Sequence, residues 1–344
     1  MGERVTIEEI AREAGVSAAT VSRALNNPEK VQSKTREAVY EAMRKLDYVP
    51  PASHREPDNL SRIIGFFSPN LFLDSFTETL HAVERELGPT SFDLLLANMR
   101  GERDFEGFVS RNVHLCRKID GAIVFSANVS EKAVEFMAGL GIPVALLQAR
   151  SSRVRSVSNN NFLGGRDATD YLLSCGYRNV SFIGWEPWDE RVSDRLDGYR
   201  SALARRGLPL QQELIHNDSL DNRGGYRATD AVFSRARPDA VFYASDVLAL
   251  GGLQKLRELE LSVPGDVGVM GFDDLSIAET LGLTTMRQFF VEKARMAVDY
   301  LLQRIHGKIP EDKPEELQMT PRLIVRDTTR CHTETPPSEE WGEE

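Results

Sequence analysis

The chain has 344 residues, with 42 Lys and Arg against 52 Asp and Glu, so its formal charge is −10; 41% of its residues are apolar. That length suggests two or three domains, each able to bury its own core. No stretch approaches about 18 consecutive apolar residues, which excludes a membrane span; charges at Glu3 and Arg4 argue against a secretory signal, and three scattered cysteines (Cys116, Cys175, Cys331) argue against a disulfide framework or metal cluster and for the reducing cytoplasm.

The charge is unevenly placed. Residues 1–57 carry nine basic and nine acidic groups, so the whole acidic excess lies in 58–344, and net acidity does not exclude nucleic acid as the partner of the N-terminal segment. There, Thr6-Ile-Glu-Glu9 is a capping-box pattern. Ile7, Ile10, Ala11 and Ala14 make one apolar face, predicting a short helix up to Gly15. Gly15-Val-Ser17 predicts a tight turn, with Ser17 capping a second helix through Leu25, and a third follows Ser33 with Val39, Met43 and Leu46 inward. Two short helices joined through a glycine turn are the helix-turn-helix unit, whose second helix enters the major groove. A plain three-helix bundle has the same spacing. The outward residues favour DNA: hydroxyls on Ser17, Thr20 and Ser22 suit phosphate oxygens, Arg23 can fork onto guanine or clamp a phosphate, and Ala18 and Ala19 can pack on thymine methyls.

From Val5 to Asn26, and on through Val31, Thr35-Arg36 and Leu46-Asp47-Tyr48-Val49-Pro50, the chain resembles the opening of lactose/galactose-repressor (LacI/GalR) transcription regulators. The resemblance implies that Ala18, Ala19 and Arg23 read bases, while Thr6, Ser17, Thr20, Ser22, Asn26 and Thr35 hold the backbone. Residues 51–61 are the expected linker after a domain at 1–50. Where the family has a minor-groove leucine at the end of a short helix, this chain has Pro57, which resists helix, so DNA kinking is not expected to carry over. His54 and Arg55 are candidate contacts in that linker.

From Ile63 onward, apolar runs alternate with amphipathic stretches. Strands are predicted at 63–67, 92–96, 122–125, 143–147, 179–184, 240–243 and 267–271, with helices at 75–87, 103–117 and 130–139. Such alternation implies doubly wound parallel sheets, with ligands at the strands' carboxyl ends. The fold class expected is α/β: a small all-α helix-turn-helix headpiece joined to a two-lobed, periplasmic-binding-protein-like domain at 62–330. Its lobes are placed at about 62–160 with 289–319, and about 161–286 with 321–330. Residues 331–344, holding five glutamates and no Lys or Arg, read as an acidic, disordered tail.

Family landmarks recur here: Asn161-Phe-Leu-Gly164, Arg195-Leu-Asp-Gly-Tyr199, Ser245-Asp246, Gly271-Phe-Asp-Asp274 and Leu323 to Thr329. Carried over by resemblance, the effector positions are Asp74, Phe76, Asn160, Arg195, Ser245 and Asp273. Leu220 stands where an aromatic often stacks on the sugar, and Trp188 is a candidate for the missing ring. With Asn160 in place of a common Asp and Arg191 close to Arg195, an anionic effector such as a sugar acid gains ground.

No phosphate-cradling loop, zinc-protease or serine-hydrolase motif is present, and the six histidines lack ligand spacing, so neither an enzyme, a metal site nor a cofactor is expected. The expected partners are operator DNA, a second copy of the chain, and a small effector (a sugar, sugar phosphate or sugar acid), with no membrane. The tail lacks apolar heptads, so a homodimer is expected rather than a coiled-coil tetramer. The alternative is a cytosolic solute-binding sensor answering to a non-sugar or corepressor ligand.

Overall fold

The computed structural model of the chain describes residues 5–26, 30–46, 48, 60–151, 153–309 and 315–331. The linker residues His54, Arg55 and Pro57, and the tail after Cys331, lie outside the described residues.

Three helices open the chain: α1 (Ile7–Glu13), α2 (Ala18–Asn26) and α3 (Ser33–Lys45). The capping box forms as its spacing predicts. Thr6 Oγ1 accepts from the Glu9 N–H at 3.2 Å, and the Thr6 N–H donates to the Glu9 carboxylate at 2.7 Å. Gly15 supplies the left-handed turn at φ 66°, a conformation that costs side-chain-bearing residues dearly. Ser17 Oγ then accepts from the Thr20 N–H at 3.1 Å and starts α2. Ile10, Val21, Ala24, Leu25, Val39 and Met43 are buried between the helices, and the Tyr40 hydroxyl donates to the Ala24 carbonyl at 3.2 Å.

The chain divides into two compact units, Met1–Ser158 with Phe290–Leu317 and Asn159–Phe289 with Gln318–Glu344. In the first, strands β1 (Ile63–Ser68), β2 (Asp93–Asn98), β3 (Gly121–Phe125), β4 (Val144–Leu147) and β5 (Arg155–Asn159) alternate with α4 (Asp74–Leu87), α5 (Phe105–Arg111), α6 (Val113–Cys116) and α7 (Glu131–Gly139). The helix expected over 103–117 is thus broken in two at Asn112. In the second unit, β6 (Val180–Gly184), β7 (Ile215–Asn217), β8 (Ala240–Tyr243) and β9 (Gly268–Met270) alternate with α8 (Asn161–Ser174), α9 (Glu190–Arg205), α10 (Asn222–Phe233) and α11 (Asp246–Glu258). A short α12 (Ser276–Thr280) and β10 (Thr285–Arg287) follow, then α13 (Phe290–Ile305) in the first unit, and finally β11 (Glu316–Met319) and β12 (Arg322–Ile324).

The strand order is β11-β5-β4-β3-β1-β2 in one sheet and β7-β6-β8-β9 in the other, with β10 and β12 as an antiparallel pair. Pairings among β1 to β5 and among β6 to β9 are parallel. In the second unit the chain order therefore reverses between β6 and β8. An open α/β sheet places its ligand beyond the carboxyl ends of the strands at such a reversal.

The cysteine expectation needs correction. Cys175 at the end of α8 and Cys331 after β12, 156 residues apart in sequence, are joined as a disulfide, and Cys116 alone is free and buried. Sequence separation concealed this pair, which the return of the final segment to the second unit brings together. Among the described residues no helix is long and apolar enough to cross a membrane.

Candidate functional site

At the reversal in the second unit, Trp185 directly follows β6, and Ser245 lies two residues beyond β8. Ser245 has two tasks: its Oγ caps α11 by accepting from the Val247 N–H at 3.4 Å, and it donates to Asp273 Oδ2 at 2.7 Å. Asp273 also accepts from the Gln288 amide, which itself accepts from Asn159. Arg195, on α9, places Nη1 3.7 Å from Asp273 Oδ1. Its Nε donates to Asn161 Oδ1 at 2.9 Å, its Nη1 donates to the Ala244 carbonyl, and its guanidinium lies 3.6 Å from the Phe272 ring centroid. Asp273 sits at φ 135°, outside the ordinary L-residue regions, held by backbone bonds to Met286 and Gln288. Strained backbone at a buried charged cluster is what a preorganised binding site looks like.

Burial pulls Arg195 down to about 10, with Asp273 opposing, so it stays charged at neutral pH. Burial likewise pushes Asp273 up, against the pull of Arg195 and its bonds from Ser245 and Gln288. Beneath this pair lies Asp246, fully buried and accepting from the Leu275 N–H at 2.9 Å and the Thr285 hydroxyl at 2.6 Å. Burial, then the charge of Asp273, pushes Asp246 up to about 8, which leaves it mostly protonated at neutral pH.

Arg191 changes the charge argument. Asp189, which caps α9, accepts from Arg191 Nε at 2.9 Å and Nη2 at 2.7 Å in a fork. Burial works against the Arg191 charge, but the bonds and charge of Asp189 outweigh it and raise its pKa. Both arginines are therefore paired with aspartates of the same unit.

The remaining effector candidates are placed differently. Asn160 caps α8 by accepting from the Leu163 N–H at 3.0 Å. Trp188 is 65% exposed, whereas Trp185 is 3% exposed and carries Arg191 and Arg195 against its ring, at 5.7 and 5.3 Å from the centroid. In the first unit, Asp74 opens α4 and is exposed. The Phe76 ring is buried against Phe66 and Phe125, at 5.1 and 5.7 Å, and so belongs to that unit's core. Sequence reasoning missed Trp185, Asp189, Asn161 and Gln288. A strand-end position was the available signal for Trp185, and the N-cap position for Asp189.

In the headpiece, Ala19 and Arg23 are exposed on α2, while Ala18, Thr20 and Ser22 are half-buried. The hydroxyls of Ser17 and Thr20 lie 2.9 Å apart at the start of α2, whose first turn holds no acid. Asn26 ends that helix, Thr35 stands half-buried in the first turn of α3, and Thr6 caps α1. The start of α2 thus sets hydroxyls at the positive end of a helix, which suits phosphate oxygens.

A helix-turn-helix headpiece followed by parallel-sheet binding units defines a transcriptional regulator. Residues 6–51 match the bacterial regulatory proteins, lacI family, and residues 169–329 match the periplasmic binding protein-like domain. The chain is 30% identical to the HTH-type transcriptional repressor PurR of Vibrio vulnificus (strain CMCP6), covering 94% of this chain and 98% of that protein. Among solved structures it resembles the transcriptional regulator CelR in complex with cellobiose (TM-score 0.70, 28% identity, 94% of this chain and 100% of that one). It also resembles a LacI family transcriptional regulator from Enterococcus faecium with bound ribose (TM-score 0.69, 28% identity, 79% and 100%). The chain belongs to the LacI family of bacterial transcriptional regulators and is not an enzyme.

Proposed function

We propose that this regulator represses carbohydrate-utilisation genes, binding a pseudo-palindromic operator as a homodimer and answering to a sugar held by the second unit. The observation that carries the sugar reading is the Ser245–Asp273–Arg195 cluster at the strand reversal, with Ser245 donating to Asp273 at 2.7 Å. It sets acceptors beside fixed donors, the pattern that neighbouring sugar hydroxyls, each both donor and acceptor, can satisfy. The relatives bound to cellobiose and ribose support this choice, since both ligands are uncharged polyols.

On DNA, α2 would lie in the major groove with Ala18, Ala19 and Arg23 toward base edges. Thr6, Ser17, Thr20, Ser22, Asn26 and Thr35 would face the phosphates. A two-fold dimer would set its recognition helices about one helical turn apart. The sugar changes operator affinity only as far as it binds the two states of the protein differently. Such a regulator would act in the cytoplasm.

The test is an unbiased selection of duplex DNA by the full chain, repeated with cellobiose, ribose and a panel of other sugars. The expected result is one enriched pseudo-palindrome whose recovery changes with a sugar. No enriched sequence would sink the operator reading, and enrichment indifferent to every sugar would sink the effector reading.

A further inference from the structure

Trp185 stands at the strand reversal with its side chain 3% exposed, and its indole Nε1 is buried with no hydrogen-bond partner among the described residues. A buried tryptophan ordinarily pairs that N–H. The neighbouring groups do not accept it. Arg191 and Arg195, both against the ring, are donors only. The carboxylates that serve them are already engaged: Asp189 by the Arg191 fork, and Asp273 by Arg195, Ser245 and Gln288. An oxygen of a molecule bound beside this cluster would supply the acceptor.

Charge narrows what that is. Arg191 is matched by Asp189 and Arg195 by Asp273, so an entering carboxylate or phosphate would meet two aspartates and no uncommitted cation. An uncharged ligand rich in hydroxyl and ether oxygens meets no such penalty.

We propose that Trp185 is a ligand-contacting specificity residue, donating its indole N–H to an oxygen of an uncharged polyol effector, and that the paired arginines reject the acidic counterpart. This rests on the effector reading given above. It adds a donor at a position that neither spacing nor resemblance assigned, and among the sugar, sugar phosphate and sugar acid expected from the sequence it selects the uncharged sugar.

Two measurements test it on the full chain. In the first, cellobiose, D-ribose, D-glucose, D-gluconate and D-glucuronate are titrated calorimetrically into the wild type and into Trp185→Phe, which keeps an aromatic face but removes the indole N–H. At least one neutral sugar should bind the wild type and bind the variant about tenfold more weakly, with circular dichroism unchanged; the two acids should bind neither. The second leaves residue 185 intact. Trp188→Phe with Trp341→Phe leaves Trp185 as the sole tryptophan of the three in the chain, and its emission should shift on adding that same sugar. Equal neutral-sugar affinity in Trp185→Phe, a silent Trp185 emission, or tighter binding of an acid than of any neutral sugar would overturn this proposal and leave the effector reading standing. Binding of no sugar at all to the wild type would overturn the effector reading and this proposal with it.

Discussion

Each of the two parallel-sheet units is pinned in the same way at the amino ends of its strands, and the two differ in what lies further along them. In the first, Asp120 ahead of β3 accepts from the N–H groups of Ser61 and Arg62, at 3.2 and 2.5 Å, and fixes the entry to β1. In the second, Asp239 ahead of β8 accepts from Arg178 and Asn179, at 2.7 and 2.9 Å, and fixes the entry to β6. In the first unit, however, Phe66 of β1, Phe125 of β3 and Phe76 of α4 pack on one another as core. Beyond β6 and β8 stand Trp185, Arg195, Ser245 and Asp273. The amino ends are pinned alike, and the units differ in what their carboxyl-end regions hold: aromatic core in the first, charged and polar side chains in the second.

The sharpest way to break this contrast is at Arg195. Replacing it with Met leaves Asp273 buried without its counter-charge, and losing one partner of a buried pair costs about 3–5 kcal/mol. Ser245 and Gln288 remain to serve Asp273, so a loss near 3 kcal/mol in urea unfolding is expected, together with loss of sugar binding. A stability change under 1 kcal/mol would mean the pair is not desolvated. Next is Gly165, where a Cβ would come within 2.2 Å of the Arg195 carbonyl oxygen as α8 passes α9. Gly165→Ala should cost about 1–3 kcal/mol and weaken sugar binding by displacing Arg195. Unchanged stability would show that the two helices have room to part.

At the headpiece, Arg23→Ala should cost about 1–3 kcal/mol of operator affinity and relax the preference at one base pair, read by binding to single-base operator variants. Equal weakening on every sequence would assign Arg23 to phosphate instead. The pH-dependent test is at Asp246. Its pKa rises from 3.8 to about 8 on folding, so the folded state binds the extra proton between those values, and stability falls as pH rises through that window. Asp246→Asn should therefore gain stability relative to the wild type steadily as the pH rises from 5 to 8, read by urea unfolding at each pH. A pH-independent difference would contradict a buried neutral acid.

Much of this was legible in the sequence, for physical reasons. Apolar runs announced β1 to β4, β6, β8 and β9, and the caps at Thr6 and Ser17 announced the headpiece. Strand β5 was not legible because Arg155-Ser-Val-Ser-Asn159 buries small hydroxyls in place of an apolar run. Strands β10 to β12 are three or four residues each, too short for periodicity to declare. At the site, Arg195, Ser245 and Asp273 were found by motif. Asp189 was not, because an acid in a loop reads as solvated until its arginine is seen to fold back on it. Trp188 and Trp185 compete on spacing alone, and only burial separates them.

The most direct test of the account is the affinity of the intact protein for its selected operator, followed by fluorescence anisotropy of a labelled duplex while a neutral sugar is added. The account predicts that at least one neutral sugar shifts the operator Kd by about fivefold or more at saturation. An operator Kd that stays the same at saturating concentrations of every neutral sugar would contradict it.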